Sequence, residues 1–262
     1  MNKTMKAVQW TLMTAVMIFT LTSCGGKKGD SAQNVETKYQ ECTLKNYTHI
    51  TGQVFPLTIG MDLPVKAPQP LMDSLTSFLN ETLYRYFDNG ESRHLPYESV
   101  YSQDIEHLME HYREAYRPFF LADSTNEHEF FSECLMLRMV AQTDAYITYQ
   151  LDWDYFLEGD VIEKEWVTFV KSDGHRIGKI ISEENMQRFF EEHPESWDKE
   201  IWEYTQWKFS EGDNLLIGNP AGLVGDTVAC QYVFAPGIFE DLKFPLASIK
   251  PYLSEEVQKL VK

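Results

Sequence analysis

The stretch that decides the fold is residues 214–253, NLLIGNPAGLVGDTVACQYVFAPGIFEDLKFPLASIKPYL. From Val228 to Phe234, side chains alternate with a period of two, which is typical of a β-strand with one face on a core. Pro236-Gly237 predicts a corner before a further strand, and Pro245 predicts the start of a short helix. The stretch therefore predicts strands joined by tight turns, and it contains no residue typical of catalysis.

Three further runs upstream predict consecutive strands. Glu133–Gln142 is almost continuously apolar, as expected of a central strand, whereas Tyr146–Leu157 and Val161–Lys171 alternate and predict strands with one wet face. Ser172-Asp173-Gly174 carries a hairpin-turn signal, and Arg176–Ile181 predicts a short returning strand. Together these runs predict an antiparallel meander.

Apolar stripes at helical spacing and capping residues predict several helices. Ser182 is a typical N-cap, and the acids that follow it suit the positive end of the helix dipole. The predicted helices cover residues 71–86, 99–117, 182–193, 196–209 and 254–262. Strands in runs with helices grouped between them favour an α+β fold, in which helices pack against an antiparallel meander of four to six strands.

Residues 1–23 predict a lipoprotein signal peptide. The apolar segment Leu12–Leu21 has about ten residues, too few for a bilayer-spanning helix of ~20. Leu21-Thr22-Ser23-Cys24-Gly25 resembles a bacterial lipobox, which implies cleavage before Cys24 and lipidation of its thiol. An ordinary secretory signal with an incidental cysteine is the alternative. We expect a lipid-anchored protein of the bacterial cell envelope that faces the periplasm.

The chain has 262 residues, of which 43% are hydrophobic, enough for one large or two small domains. We expect a flexible tether at 24–43, a smaller N-terminal α+β region at 44–130 and a C-terminal domain at 131–262. The net charge of −17 disfavours nucleic acid and favours cationic partners, with solubility alone as the alternative.

Three cysteines remain after Cys24, and none has the spacing of a zinc cluster or a redox motif. At most one disulfide can form within the chain, and a buried free thiol is equally acceptable. The three are Cys42, Cys134 and Cys230.

Residues 145–253 resemble the C-terminal domain of the RsiV-like family, a DUF3298-type extracytoplasmic domain. Trp166–Phe169 with Lys171–Gly174 is similar to that family's strand and hairpin turn. Tyr232–Gly237 with Ile249–Leu253 is similar to its closing segment. The resemblance implies a non-catalytic α+β domain that binds a partner, which in the anti-sigma-factor members is lysozyme. The ligand expected here is a basic protein of that kind or a cell-wall component, with no cofactor.

Six acids surround one predicted hairpin and form the predicted partner-binding site: Asp152, Asp154, Glu158, Asp160, Glu163 and Glu165. Paired carboxylates can also bind calcium or hydrolyse glycosides. A solvated strand face, however, would carry the same acids without any function.

His107-Leu108-Met109-Glu110-His111 matches the H-x-x-E-H order of a zinc hydrolase, because histidines four apart share a helix face. Here His107 and His111 would bind the metal while Glu110 acts as general base. A solvated helix flank is the preferred interpretation, since Glu110 points away from that flank. The zinc hydrolase is the alternative function, and the absence of stoichiometric zinc from purified protein would end it.

Overall fold

The computed structural model describes residues 34–47, 54–87, 133–156, 160–194, 220–235 and 238–261. The helices predicted at 99–117 and 196–209 lie outside these ranges, as does the predicted signal peptide with Cys24. In the described part, no helix combines the length and the apolar character needed to cross a membrane.

A five-stranded sheet forms the centre of the fold, in the order β1-β2-β3-β4-β5. Every neighbouring pair is antiparallel except β2–β3, which is parallel. The strands are β1 (Glu36–Tyr47), β2 (Val54–Lys66), β3 (Glu133–Gln142), β4 (Tyr146–Phe156) and β5 (Asp160–Val170). The predicted α+β class is confirmed. The predicted meander holds for β3–β5, whereas the long connection that separates β2 from β3 allows a parallel pair.

The first strand begins inside the predicted tether, because β1 starts at Glu36. Its antiparallel pairing with β2 is continuous over the length of both strands. The β2–β3 pairing then joins residues from both sides of the predicted boundary at 130/131. The described residues from 34 onward belong to one compact unit.

The opening stretch forms a second, three-stranded antiparallel sheet of β6 (Gly222–Val224), β7 (Thr227–Ala235) and β8 (Ile238–Pro245). The predicted strand–turn–strand order is confirmed, and Gly225 makes the tight turn at a φ of 63°. The prediction that this strand has only one face on a core is wrong at the start of β7. Ala229 and Gln231 are buried there as well as Val228, so both faces are covered. The additional cover is the neighbouring sheet, which Gln231 contacts through Lys164.

The helices begin where the capping residues predict. Helix α1 spans Gln69–Phe87 and α2 spans Glu183–Glu192, with the Ser182 hydroxyl accepting the Asn185 N–H at 3.2 Å. After the short α3 (Leu246–Ile249), α4 covers Glu255–Leu260. The strand predicted at Arg176–Ile181 is wrong. The segment forms only two isolated bridges, Arg176 with Phe169 and Ile181 with Leu253, because it passes from β5 to the region of Leu253 and does not run beside a strand.

Two apolar cores hold these layers together. The first packs α1 on one face of the five-stranded sheet, with the Phe78 ring 5.4 Å from that of Phe169. The second surrounds α2, where the Phe189 ring lies 5.2 Å from both Phe244 and Tyr252. The segment after β5 contributes to the second core through Ile177 and Ile180.

A buried lysine ties the start of β1 to the rest of the sheet. Lys171 is 3% exposed, and its Nζ donates to Gln142 Oε1 at 3.2 Å and to the Thr143 carbonyl at 2.9 Å. Gln142 in turn accepts the Val35 N–H at 2.7 Å and donates to the Val35 carbonyl. Burial lowers the pKa of Lys171, because desolvation disfavours the charged amine.

Candidate functional site

One face of the five-stranded sheet carries polar side chains from every strand. The register places them on the same face, since cross-strand partners share a side of the pleat. Tyr39 pairs with Asp62, and Asp152 pairs with Lys164. We call this surface the polar face; its residues are Tyr39, Glu41, Asp62, Arg138, Gln150, Asp152 and Lys164.

Gly60 leaves space for the Tyr39 side chain, which extends over β2 toward Met136 and Arg138 on β3. A Cβ at Gly60 would come within 2.5 Å of both the Tyr39 hydroxyl and Met136 Sδ. With that space open, the Arg138 guanidinium lies 3.7 Å from the centre of the Tyr39 ring, a cation–π contact. The Tyr39 hydroxyl donates to Glu41, and burial followed by this hydrogen bond raises the pKa of Tyr39.

Asp62 is the most enclosed acid at this end of the polar face, with its side chain 16% exposed. One carboxylate oxygen accepts the Met139 N–H at 2.9 Å, and the other lies 3.9 Å from Arg138 Nη1. Burial nevertheless raises the pKa of Asp62, because the loss of water outweighs these two favourable contacts.

Asp152 is held by a chain of side-chain hydrogen bonds. Trp166 Nε1 donates to Gln150 Oε1 at 3.1 Å, and Gln150 Nε2 donates to Asp152 Oδ1 at 2.6 Å. Burial raises the pKa of Asp152, and the negative charge of Asp241 acts in the same direction. The Gln150 hydrogen bond and the charge of Lys164 oppose the rise. Like Asp62, Asp152 is therefore a carboxylate whose negative charge is only partly offset by its hydrogen bonds and neighbouring cations.

The polar face continues into the second sheet through Lys164. Its ammonium pairs with Asp241 on β8, and its backbone N–H donates to Gln231 Oε1 at 2.8 Å. Gln231 Nε2 completes the triangle by donating to Asp241 Oδ1 at 3.2 Å. These bonds fix the edge of β5 against β7 and β8.

The structure divides the predicted acidic hairpin between two faces. Asp152 lies on the polar face, whereas Glu163 and Glu165 are cross-strand partners of Trp153 and Leu151 on the opposite face. Asp154 and Asp160 occupy β4 and β5, where they pair with Ile162 and Phe156 respectively. Glu158 and the side chains of Asp154 and Asp160 lie outside the described residues.

The sequence did not indicate Glu41, Asp62, Arg138 or Asp241 as neighbours of Asp152. The strands of Glu41 and Asp62 lie far from β4 in the chain and join it through the sheet order, whereas Asp241 lies on β8 of the second sheet and is connected through Lys164. One signal could have suggested the arrangement, because a glycine within a strand pattern, here Gly60, often marks a close approach of another group.

The described part of the chain does not test the zinc alternative. No group of three or more His, Cys, Asp or Glu side chains is placed there to hold a metal ion. The motif itself, His107, Glu110 and His111, lies outside the described residues. Among the described cysteines, Cys230 is a buried free thiol. Burial raises the pKa of Cys230 to about 12, so this thiol stays protonated.

A solved structure with the same architecture is a member of the DUF3298 family from Bacteroides fragilis. The two chains superpose with a TM-score of 0.56 over 88% of this chain and 99% of the other, at 15% sequence identity. The chain has the DUF3298 fold. A DUF3298 protein from Pseudomonas aeruginosa has a TM-score of 0.49 and 12% identity, over 87% of this chain and 98% of that one.

No family model and no curated protein matches the sequence. The DUF3298 likeness therefore rests on three-dimensional structure, which confirms the DUF3298-type fold that the two sequence segments implied. On this DUF3298 fold, the polar face places Asp62, Arg138, Asp152 and Lys164 on one surface of the sheet.

Proposed function

We propose that this chain is a non-catalytic, RsiV-like binding domain of the bacterial envelope, anchored by a lipid on Cys24, whose acidic surfaces bind a basic protein. The observation that carries the proposal is the β4–β5 hairpin, which presents carboxylates on both of its faces. The DUF3298 fold and the net charge of −17 support the same conclusion.

The electrostatics of the polar face favour a cationic partner. Burial raises the pKa values of Asp62 and Asp152, so each carboxylate is less stable as an anion than it would be in water. An ammonium or guanidinium group of a partner, placed beside them, would offset that cost. Arg138 beside Asp62 and Lys164 beside Asp152 already offset part of the cost of burying these charges. A cationic partner would offset the rest.

Neutralising the hairpin should weaken binding to a basic protein by more than about tenfold. Each surface charge pair with a partner contributes ~0.2–1 kcal/mol, and five carboxylates are neutralised together. The hairpin variant changes these residues to their amides: Asp154, Glu158, Asp160, Glu163 and Glu165. Asp152 is kept, because it accepts a hydrogen bond from Gln150. Calorimetric titration with lysozyme at low ionic strength gives the affinity, which should fall as salt is added.

A matched control separates a local effect from net charge. It neutralises five exposed acids elsewhere, again two aspartates and three glutamates: Asp73, Asp144, Glu184, Glu191 and Glu255. When both variants are compared at about 0.15 M salt, where charges more than ~8 Å apart are largely screened, we expect the control to bind within about threefold of the unchanged protein. Equal losses in the two variants would reject the hairpin as the binding site. Absence of binding to lysozyme at low salt, together with binding to isolated cell wall, would favour the cell-wall ligand.

Lipidation of Cys24 predicts that the protein is recovered with membranes and takes up labelled palmitate when it is expressed in bacteria. Replacing Cys24 with alanine should abolish the label and move the protein to the soluble periplasmic fraction, because the thiol is the attachment point. Lys27→Ala, close to the same site, should keep the label. If the unchanged protein takes up no palmitate, the alternative of an ordinary secretory signal is favoured.

A further inference from the structure

A groove separates the segment after β5 from the start of the second sheet. It has a volume of about 250 Å³ and lies between residues 176–183 on one side and Pro220, Ala221 and the β7 residues Cys230 and Gln231 on the other. This is slightly below the ~300–1,000 Å³ of common small-molecule sites, so a fragment-sized ligand fits it best.

Part of the groove lining is apolar. Ile180 and Met186 line it from the second core, and the indole of Trp166, itself 3% exposed, lines it from β5. Cys230 contributes a thiol that stays neutral, because burial raises its pKa to about 12. An apolar group that enters the groove would therefore replace water without separating any ion pair.

Two cations, Arg176 and Lys179, line the groove together with one carboxylate, Glu183. Their ion pairs are loose and solvated: Arg176 lies 3.9 Å from Glu81, and Lys179 lies 3.4 Å from Glu183. Pairs of this kind contribute only ~0–1 kcal/mol, so a ligand anion can replace the internal carboxylates at little cost.

Gly178 lies between these two cations in the sequence and also lines the groove. A Cβ built on Gly178 meets no atom within 4 Å, and its φ is not in the left-handed region that favours glycine. Neither backbone conformation nor packing therefore requires a glycine at this position. Its remaining effect is that no side chain projects across the groove between Arg176 and Lys179.

We propose that this groove binds a small amphipathic anion, with its acidic group between Arg176 and Lys179 and its apolar part against Ile180, Met186 and Trp166. The arrangement combines the few oriented polar groups and the apolar wall that characterise ligand sites. The site is separate from the acidic hairpin, so either can be tested without the other.

The probes that test this are 4-phenylbutyrate and its neutral counterpart 4-phenylbutyramide, which differ only in the charged group. We expect phenylbutyrate to shift the backbone amide NMR signals of Gly178 and Lys179 with a millimolar dissociation constant. The amide should bind at least about tenfold more weakly. Changing Arg176 and Lys179 together to glutamine should remove that difference. Equal affinity of the two probes, or no shift with either, would overturn the proposal.

Two substitutions at Gly178 distinguish a blocked site from a damaged fold. Gly178→Phe places a ring at the open entrance and should abolish the phenylbutyrate shifts, whereas Gly178→Ala should retain them. Gly178→Ala should melt within about 3 °C of the unchanged protein, because its Cβ would meet no atom within 4 Å, and the melting temperature of Gly178→Phe shows whether that variant is folded. Unchanged phenylbutyrate binding in a folded Gly178→Phe variant would show that the probe binds elsewhere, which would also reject the proposal.

Discussion

Replacing Phe189 with alanine is expected to lower the free energy of unfolding by about 3–5 kcal/mol. Phe189 is 1% exposed and lies at the centre of the second core. Its ring lies 5.2 Å from those of Phe244 and Tyr252 and 5.0 Å from that of His193. Truncation removes these contacts and leaves a cavity that the surrounding strands and turns cannot fill.

Urea unfolding followed by circular dichroism measures this loss. Gln187→Ala, at an exposed position of the same helix, is the control and should change stability by no more than about 0.5 kcal/mol. Phe189→Leu should fall between the two, because it restores most of the apolar volume. A loss below about 1 kcal/mol for Phe189→Ala would mean that α2 does not stabilise the closing strands as described.

Gly174→Ala is the second substitution with a large expected effect. The backbone at Gly174 has a φ of 76°, and a Cβ there would lie 2.6 Å from the Pro70 carbonyl carbon and 2.8 Å from Leu71 Cα. The left-handed conformation alone costs an L-residue about 1–2 kcal/mol. Because the clashing atoms are backbone atoms at the start of α1, relief requires the helix to move. We expect a total loss above about 3 kcal/mol.

Gly225→Ala provides the matched control for this experiment. Gly225 also has a positive φ, of 63°, but a Cβ there would meet nothing within 4 Å. Its loss should be only the conformational cost of about 1–2 kcal/mol. The two variants should therefore differ in their free energy of unfolding, measured with urea, by the contribution of one contact. That contact joins the turn after β5, which contains Gly174, to the start of α1. If the two losses are equal, that contact contributes nothing to stability.

Local patterns predicted the elements of this fold well. The alternation in Tyr146–Phe156 predicted β4, because one of its faces packs on a core. The helical stripe from Leu71 predicted α1, and the hydroxyl at Ser182 predicted the start of α2. These signals work because each depends on residues within one or two turns of the chain.

The relations between distant segments could not be predicted in the same way. The parallel β2–β3 pair depends on a connection whose path the sequence pattern does not reveal. The segment at Arg176–Ile181 was predicted to be a short returning strand, yet it bridges to Phe169 at one end and to Leu253 at the other. The polar face was missed for the same reason, since it depends on the register of five strands.

The Lys171–Gln142–Val35 hydrogen bonds define a point of mechanical attachment. Tension transmitted from residues before 34 enters the described domain at Val35, whose N–H and carbonyl are both held by the Gln142 side chain. Lys171 holds that side chain in turn from the end of β5. A pull on the N-terminus is therefore distributed to β3 and β5 as well as to the β1–β2 ladder, so the edge strand does not carry the load alone.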